Sequence, residues 1–493
     1  MAETFNYIIE FLTVGHIVNI IYVLNLIIAF VIIFVDKKDP SATMAWIMIL
    51  FIVPVVGFVF YMVFSQHISR LKIDKVPPEE MRLGTYMLEE QMRELNSVHL
   101  ANYSKVLDKW KAMVMLNLDY SGSILTANES VEIITDGKHK FHKLFDDIRN
   151  AEKSICLCYF IIKNDIVGKK LISLLTKKAA EGVEVRLLMD AMGSKQITRF
   201  QLKEFEEAGG KYAFYFKPRI RHLFIRFNYR NHRKIAVIDN RIGYIGGFNV
   251  AREYAGYKKR FGYWRDTHVR IIGDAVKTMN YRFFLDWRYA TNEQFDFVNE
   301  VRNNPLNLID GDIPIQVVSC GPNSPREEIK LAMMKMITGA KSRVFIQTPY
   351  FVPDKAIMES LLMAARSGVE VNLMIPCMPD HPFVYRTTLY NAGELLKEGA
   401  HVYIYENGFL HAKTLSVDGE VCTVGSTNFD IRSFKLNFET NAFIYDSEVS
   451  KRMEAFFIKD LEKSRPYTLE DRANISTLEK ALESISRLLT EIL

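Results

Sequence analysis

The run His232-Arg-Lys234-Ile-Ala-Val-Ile-Asp239-Asn-Arg-Ile-Gly-Tyr-Ile-Gly246-Gly247-Phe-Asn249 returns at equal spacing as His411-Ala-Lys413-Thr-Leu-Ser-Val-Asp418-Gly-Glu-Val-Cys-Thr-Val-Gly425-Ser426-Thr-Asn428. Residues two apart in a strand share a face, so each His-x-Lys presents an imidazole and an ammonium on one side. The apolar residues that follow, then Asp239-Asn240 or Asp418-Gly419, predict a hairpin. Its return strand ends in a glycine-rich bend, whose backbone N–H groups and Asn249 or Asn428 can face an anion. A lone lysine is usually solvated and a lone histidine usually structural. Neither use explains two copies at the same rank of a repeat.

Working outward from the motifs, the chain alternates. Ser154–Ile162 reads as a strand, Val167–Ala180 as a helix, Val183–Met189 as a strand, Thr198–Ala208 as a helix and Lys211–Phe216 as a strand. The order returns as Ser342–Thr348, Lys355–Arg366, Val369–Ile375, Val384–Lys397 and His401–Tyr405, with Gly182-Val-Glu-Val185 echoed by Gly368-Val-Glu-Val371. Such alternation predicts an α/β fold. We read a duplicated domain, with halves at 141–308 and 309–470 packed about a pseudo-dyad. Residues 66–140 read as a helical linker region, and 471–493 as an amphipathic helix.

Two such hairpins across a dyad bring together two imidazoles, two ammoniums and two amides. A phosphodiester suits that pocket. One neutral histidine can attack phosphorus while the other, protonated, donates to the leaving alkoxide; unperturbed pKa values of about 6.5 let the pair occupy both states. Lys234 and Lys413 would offset charge on the equatorial oxygens. A histidine nucleophile also needs its other nitrogen oriented, and Asp266 and Glu439, downstream of each motif, are the candidates. The position of Asp239 and Asp418 also suits turn acceptors.

The paired motifs resemble the phospholipase D superfamily over about residues 140–470. Gly246-Gly-Phe-Asn249, Tyr263-Trp-Arg-Asp266 and Thr348-Pro-Tyr-Phe-Val-Pro-Asp354 are similar to words of its bacterial cardiolipin synthases. The resemblance implies two mixed sheets flanked by helices and a catalytic role for His232, Lys234, Asp239, His411, Lys413 and Asp418. It also implies cofactor-free phosphatidyl transfer, in which two phosphatidylglycerols become cardiolipin and glycerol. A hydrolase releasing phosphatidic acid, a membrane-tethered nuclease and a catalytically dead lipid-binding scaffold are the rival readings. No Gly-x-Ser-x-Gly elbow, Walker A loop or His-Glu-x-x-His occurs.

The chain begins differently. Ile17–Val35 has only Asn19 and Asn25 as strongly polar residues, and Ala42–Phe64 carries no charge. We expect a transmembrane hairpin over 1–65, with spans at about 17–35 and 42–64, a turn at Asp36–Ser41 and a kink at Pro54. Lys37 and Lys38 in the turn are outnumbered by Arg70, Lys72, Lys75 and Arg82 after it, which places the catalytic part on the cytoplasmic face of a bacterial cell membrane. Five cysteines without a CxxC pair fit a reducing compartment and suggest no zinc site. The 493 residues carry a net charge of only +5, too mild to argue for nucleic acid. Lys217–Lys234 nevertheless holds seven Lys/Arg and no acid, interleaved with apolar side chains, and reads as a rim for an anionic lipid. Leu478, Leu482, Ile485, Leu489 and Ile492 form an apolar stripe, expected to pack on the catalytic body or else to lie on the membrane.

Overall fold

The computed structural model describes residues 14–34, 40–64, 76–97, 104–217, 228–303, 305, 312–324 and 326–490. Among them two compact units separate. One is a body of Ser69–Lys217 with Tyr229–Ile475; the helices Val14–Phe34, Pro40–Ile52, Pro54–Phe64 and Thr477–Thr490 belong to the other.

In the body the expected alternation forms. Ser154–Tyr159, Glu184–Asp190 and Lys211–Tyr215 run parallel, crossed over by helices Ile166–Ala180 and Arg199–Glu207. Parallel strands are covered on both faces, which is why the successive residues Cys156, Leu157 and Cys158, and Leu187, Leu188 and Met189, are all buried. Asp165 accepts from the N–H groups of Val167 and Gly168 and so starts the first of these helices. The second half repeats the pattern with Arg343–Gln347, Glu370–Pro376 and His401–Tyr405.

The two sheets expected from the resemblance are continuous. From Ser154–Tyr159 the order runs antiparallel through Ile235–Ile238, Ile242–Gly246, Trp264–Gly273 and Leu125–Asp136. It continues through Ile313–Cys320, Asn437–Ile444, Val421–Gly425 and Thr414–Val417 to Arg343–Gln347. Leu125–Asp136 makes the join. Its twelve residues are long enough to pair with Ile313–Cys320 at one end and Trp264–Gly273 at the other. This strand also corrects the reading of 66–140 as helical throughout. Helices Pro78–Ser97, Lys105–Lys109 and Lys111–Ser121 form there, but the β-branched residues of Leu125–Asp136 go to the sheet.

Two short parallel pairings stitch the halves together. Arg230–Asn231, just before the first motif, pairs with Asn437–Phe438 of the second half. Phe409–Leu410, just before the second motif, pairs with Trp264–Arg265 of the first.

In the other unit, no helix among the described residues is long and apolar enough to cross a membrane. The expected span 42–64 is two helices, Pro40–Ile52 and Pro54–Phe64. Pro54 has no N–H to offer the Leu50 carbonyl four residues earlier. The buried Asn25 side chain supplies that donor, giving one bond to the Leu50 carbonyl at 2.8 Å and one to the Pro54 carbonyl at 3.1 Å. Trp46 and Tyr61 meet edge to face at 5.4 Å across the break. Most of the expected turn at Asp36–Ser41 lies outside the described residues, as does 218–227 of the basic stretch. Helix Thr477–Thr490 forms, yet Leu478 and Ile485 of its apolar stripe are exposed while Glu483 and Ser486 are buried. Leu482 of the same stripe is half-buried beside them, and the Leu489 side chain and Ile492 lie outside what is described. Ser486 is satisfied there by the Leu482 carbonyl at 2.7 Å.

Candidate active site

Each motif folds as the hairpin its pattern predicts, Ile235–Ile238 against Ile242–Gly246 and Thr414–Val417 against Val421–Gly425. His-x-Lys immediately precedes the first strand of each hairpin. The backbone there is held by the opposite half: the N–H of His232 donates to the Phe438 carbonyl at 2.9 Å, and that of His411 to the Arg265 carbonyl at 2.7 Å.

The orienting carboxylates are both in place, and they are exchanged. His232 Nδ1 lies 2.8 and 3.0 Å from the two oxygens of Glu439, which belongs to the second half. His411 Nδ1 lies 2.6 Å from Asp266 of the first. A carboxylate accepts only, so each Nδ1 carries the proton and each Nε2 is left with its lone pair. Lys413 Nζ also approaches His411 Nδ1 at 2.9 Å, but a protonated nitrogen cannot accept from it. Lys234 and Lys413 donate to the carbonyls of His232 and His411 at 2.6 and 2.5 Å.

A glycine gap admits Asp266. A Cβ on Gly247 would stand 1.9 Å from its carboxylate oxygen. The second motif has Ser426 at that rank, and its hydroxyl instead accepts the Thr440 N–H at 3.0 Å.

Burial sets the charges. It lowers the His232 pKa to about 4 against the opposing pull of Glu439, and it lowers His411 as well, helped by Lys413. The expectation of two unperturbed imidazoles is corrected accordingly: both lie below the ordinary value and are neutral at pH 7. Burial also lowers Lys234 to about 7 and Lys413 to about 8. For Asp266 and Glu439 burial acts upward, but the cations and imidazoles around them outweigh it and hold both carboxyls below their ordinary values. The kcat/KM profile should therefore fall as pH rises through about 7 to 8, where Lys234 and then Lys413 discharge. An alkaline limb absent up to pH 10 would overturn that assignment.

Asp239 and Asp418 stand outside this cluster. Each sits at positive φ in its hairpin turn and binds three consecutive backbone N–H groups, those of Glu152, Lys153 and Ser154 or of Lys341, Ser342 and Arg343. They are turn acceptors that pin the motif to the start of the neighbouring strand. Replacing Asp239 with Ala should cost about 2–3 kcal/mol of stability while leaving the pH profile of the folded fraction in place. Burial acts upward on Asp418, but those N–H bonds outweigh it and depress its pKa. Its stabilising contribution is thus present above the ordinary carboxylate value and is lost as pH falls through the depressed one.

The asparagines are partly committed. Asn249 Oδ1 accepts the Ile161 N–H at 3.0 Å and its Nδ2 donates to the Tyr254 hydroxyl at 3.1 Å. Asn428 Nδ2 donates to Ser433 at 3.2 Å. Each amide has one N–H beyond these bonds.

Pattern reading missed Arg233, the residue inside the first His-x-Lys. Its buried guanidinium grips Asp286 at 2.8 and 2.9 Å and donates to Thr440 Oγ1 and to the carbonyls of Glu439 and Cys320. It thereby positions the segment that carries Glu439. The only signal in the sequence was an arginine where the second motif has Ala412. Among the described residues no group of three or more His, Cys, Asp or Glu side chains could hold a metal ion.

Comparison with known proteins agrees with this geometry. Residues 144–259 and 333–461 match the family described as cardiolipin synthase, PLD-like domain, and residues 23–66 match a phospholipase D-nuclease N-terminal family. Cardiolipin synthase 2 of Staphylococcus epidermidis is 44% identical over 96% of both chains. The major cardiolipin synthase of Bacillus subtilis is 42% identical over 96% of this chain and 98% of its own. A phosphatidylserine synthase from Haemophilus influenzae shares the fold, with a TM-score of 0.60 at 14% identity over 78% of this chain and 100% of its own. The chain belongs to the cardiolipin synthase family, and its duplicated halves are that family's phospholipase D-like domains.

Proposed function

We propose that this protein joins two phosphatidylglycerol molecules into cardiolipin and glycerol through a phosphohistidine. The observation that carries the chemistry is the pair of imidazoles, each with Nδ1 on a buried carboxylate and Nε2 free. In the first step one Nε2 attacks phosphorus and the bond to the headgroup glycerol breaks. The other imidazole, protonated, gives its proton to the departing oxygen. An anionic phosphodiester beside both rings favours their charged forms, so substrate itself raises the acid's pKa from its depressed value. In the second step a hydroxyl of another phosphatidylglycerol attacks phosphorus and passes its proton to the same imidazole, and the P–N bond breaks. Lys234 and Lys413 would offset the charge that develops on the equatorial oxygens. No cofactor enters this scheme.

Lipid analysis of cells expressing the protein tests the reading. Cardiolipin with stoichiometric glycerol supports it; phosphatidic acid alone would establish the hydrolase, and no new lipid the scaffold.

We also propose that residues 1–65 anchor the chain in the bacterial cell membrane as a hairpin with both ends cytoplasmic. Support comes from the apolar composition, the Asn25 fastening at the proline break and the matched N-terminal family. A cysteine at Ser41 should then react with an impermeant thiol reagent outside intact cells, and one at Ser121 should not. Reverse labelling would overturn the topology. Arg230, Arg233 and Lys234 of the basic stretch are buried. Its other cations, Lys217, Arg219, Arg221 and Arg226, together with the exposed Leu478 and Ile485, are the candidates for the same anionic surface, where each cation contributes about 1 kcal/mol.

A further inference from the structure

The dyad relates the two motifs but not what flanks them. In the first half, Ile162 pairs with Val250, the residue after Asn249. In the second, Phe351 pairs with Phe429, the residue after Asn428. Tyr350 therefore holds the place that Ile161 holds across the dyad. Beside His232 the Phe160 ring lies 5.0 Å from the imidazole, edge to face, and 5.5 Å from the Lys234 ammonium. The carboxylate at this half's strand end, Asp190, is buried and taken up by the N–H groups of Met192, Gly193 and Asn231.

Beside the second motif the flank is polar. The Tyr350 hydroxyl donates to Asp380 Oδ2, and Asp380 Oδ1 accepts the His381 N–H at 2.8 Å. Thr348 fixes the tyrosine, donating to the Tyr350 carbonyl at 3.0 Å and accepting the Phe429 N–H at 3.2 Å. Asp380 lies between strand Glu370–Pro376 and helix Pro382–Lys397, at the carboxyl end of a parallel strand, where α/β sheets place groups that meet ligands. Its charge is felt at both His411 and Lys413.

A carboxylate this near a phosphodiester site repels the substrate, so a pocket that bound phosphate alone would have no use for it. It suits hydroxyl donors. With Tyr350 donating to Asp380, the phenol oxygen keeps its lone pairs and the carboxylate keeps acceptor sites. Two neighbouring hydroxyls on one ligand satisfy both oxygens together. We propose that Tyr350 and Asp380 form a subsite for a vicinal diol, the free hydroxyls of a glycerol headgroup. This specificity rests on the phosphatidyl-transfer reading above and names which end of the substrate the second half recognises. The reaction that supplies such a substrate must leave both hydroxyls unesterified.

The test compares two lipids that share the reacting phosphodiester, phosphatidylglycerol and phosphatidylethanol, in mixed micelles with the full chain. The readout is headgroup release, which counts transfer and hydrolysis alike. Wild type should prefer phosphatidylglycerol in kcat/KM. Asp380→Asn and Tyr350→Phe should each cut that preference about tenfold or more, as expected when a site built for a hydroxyl loses its partner. The phenylalanine variant keeps the ring and guards against misfolding. An unchanged preference, or equal proportional loss on both lipids, would overturn the subsite. A wild-type protein that releases headgroup but forms no cardiolipin would instead overturn the transfer reading and leave the preference to report on the diol.

Discussion

Alanine at His232 or at His411 is expected to lower phosphatidyl transfer by about four orders of magnitude or more, and the double replacement little further. The two imidazoles act as one unit: without the nucleophile no phosphoenzyme forms, and without the acid the glycerol alkoxide has no proton to leave with. Acid-quenched steady-state enzyme should yield a phosphopeptide containing only one of them. Substantial transfer in either single variant, measured with labelled phosphatidylglycerol, would overturn the shared mechanism. Chelation should leave wild-type transfer intact, because Lys234 and Lys413 supply the positive charge in this scheme; loss of activity with EDTA, restored by a divalent ion, would refute it.

Glu439→Gln and Asp266→Asn should each cost about three to four orders of magnitude, since an amide N–H can donate to Nδ1 and so hold the wrong tautomer, with the proton on Nε2. The structure makes this prediction specific. Glu439→Gln should disturb the titration of His232 and spare that of His411, and Asp266→Asn should do the reverse. Nitrogen-resolved NMR of the two rings reads this directly. Disturbance of the histidine in the same half as the mutated carboxylate would refute the exchange.

How far the sequence could be read is visible at these four residues. The equal spacing of His232-x-Lys234 and His411-x-Lys413 exposed the chemistry and the duplication because two copies at one rank of a repeat have no ordinary structural use, although the segment lies just before the strand rather than in it. Asp266 and Glu439 were recognisable as carboxylates downstream of each motif. Their exchange was not, because it depends on the pairings of Arg230–Asn231 and Phe409–Leu410 with the other half, and two-residue strands leave no periodic trace. Leu125–Asp136 escaped notice for a related reason. Polar Asn128, Glu129, Ser130 and Glu132 interrupt its apolar residues, so the segment looked like part of a linker while its length serves both halves. Asp239 and Asp418 show the reverse case: a recurring motif letter stood for a turn, and position in the hairpin was the better guide. Asn25 reads only as a polar interruption with no hint of its partner, because the missing donor it replaces belongs to a proline twenty-nine residues later.

The exchanged carboxylates also set a clock. His232 and Glu439 are separated by 207 residues. A ribosome adding about 5–20 residues per second leaves an interval of roughly 10–40 s between making the first imidazole and making the group that orients it. His411 waits for nothing, since Asp266 is made before it, but its partner imidazole remains unaligned through the same interval. The nascent chain therefore lacks an aligned pair of imidazoles while it emerges from the ribosome. Competence arrives only after the penultimate stretch of the body has been synthesised, when the second half can close on the first.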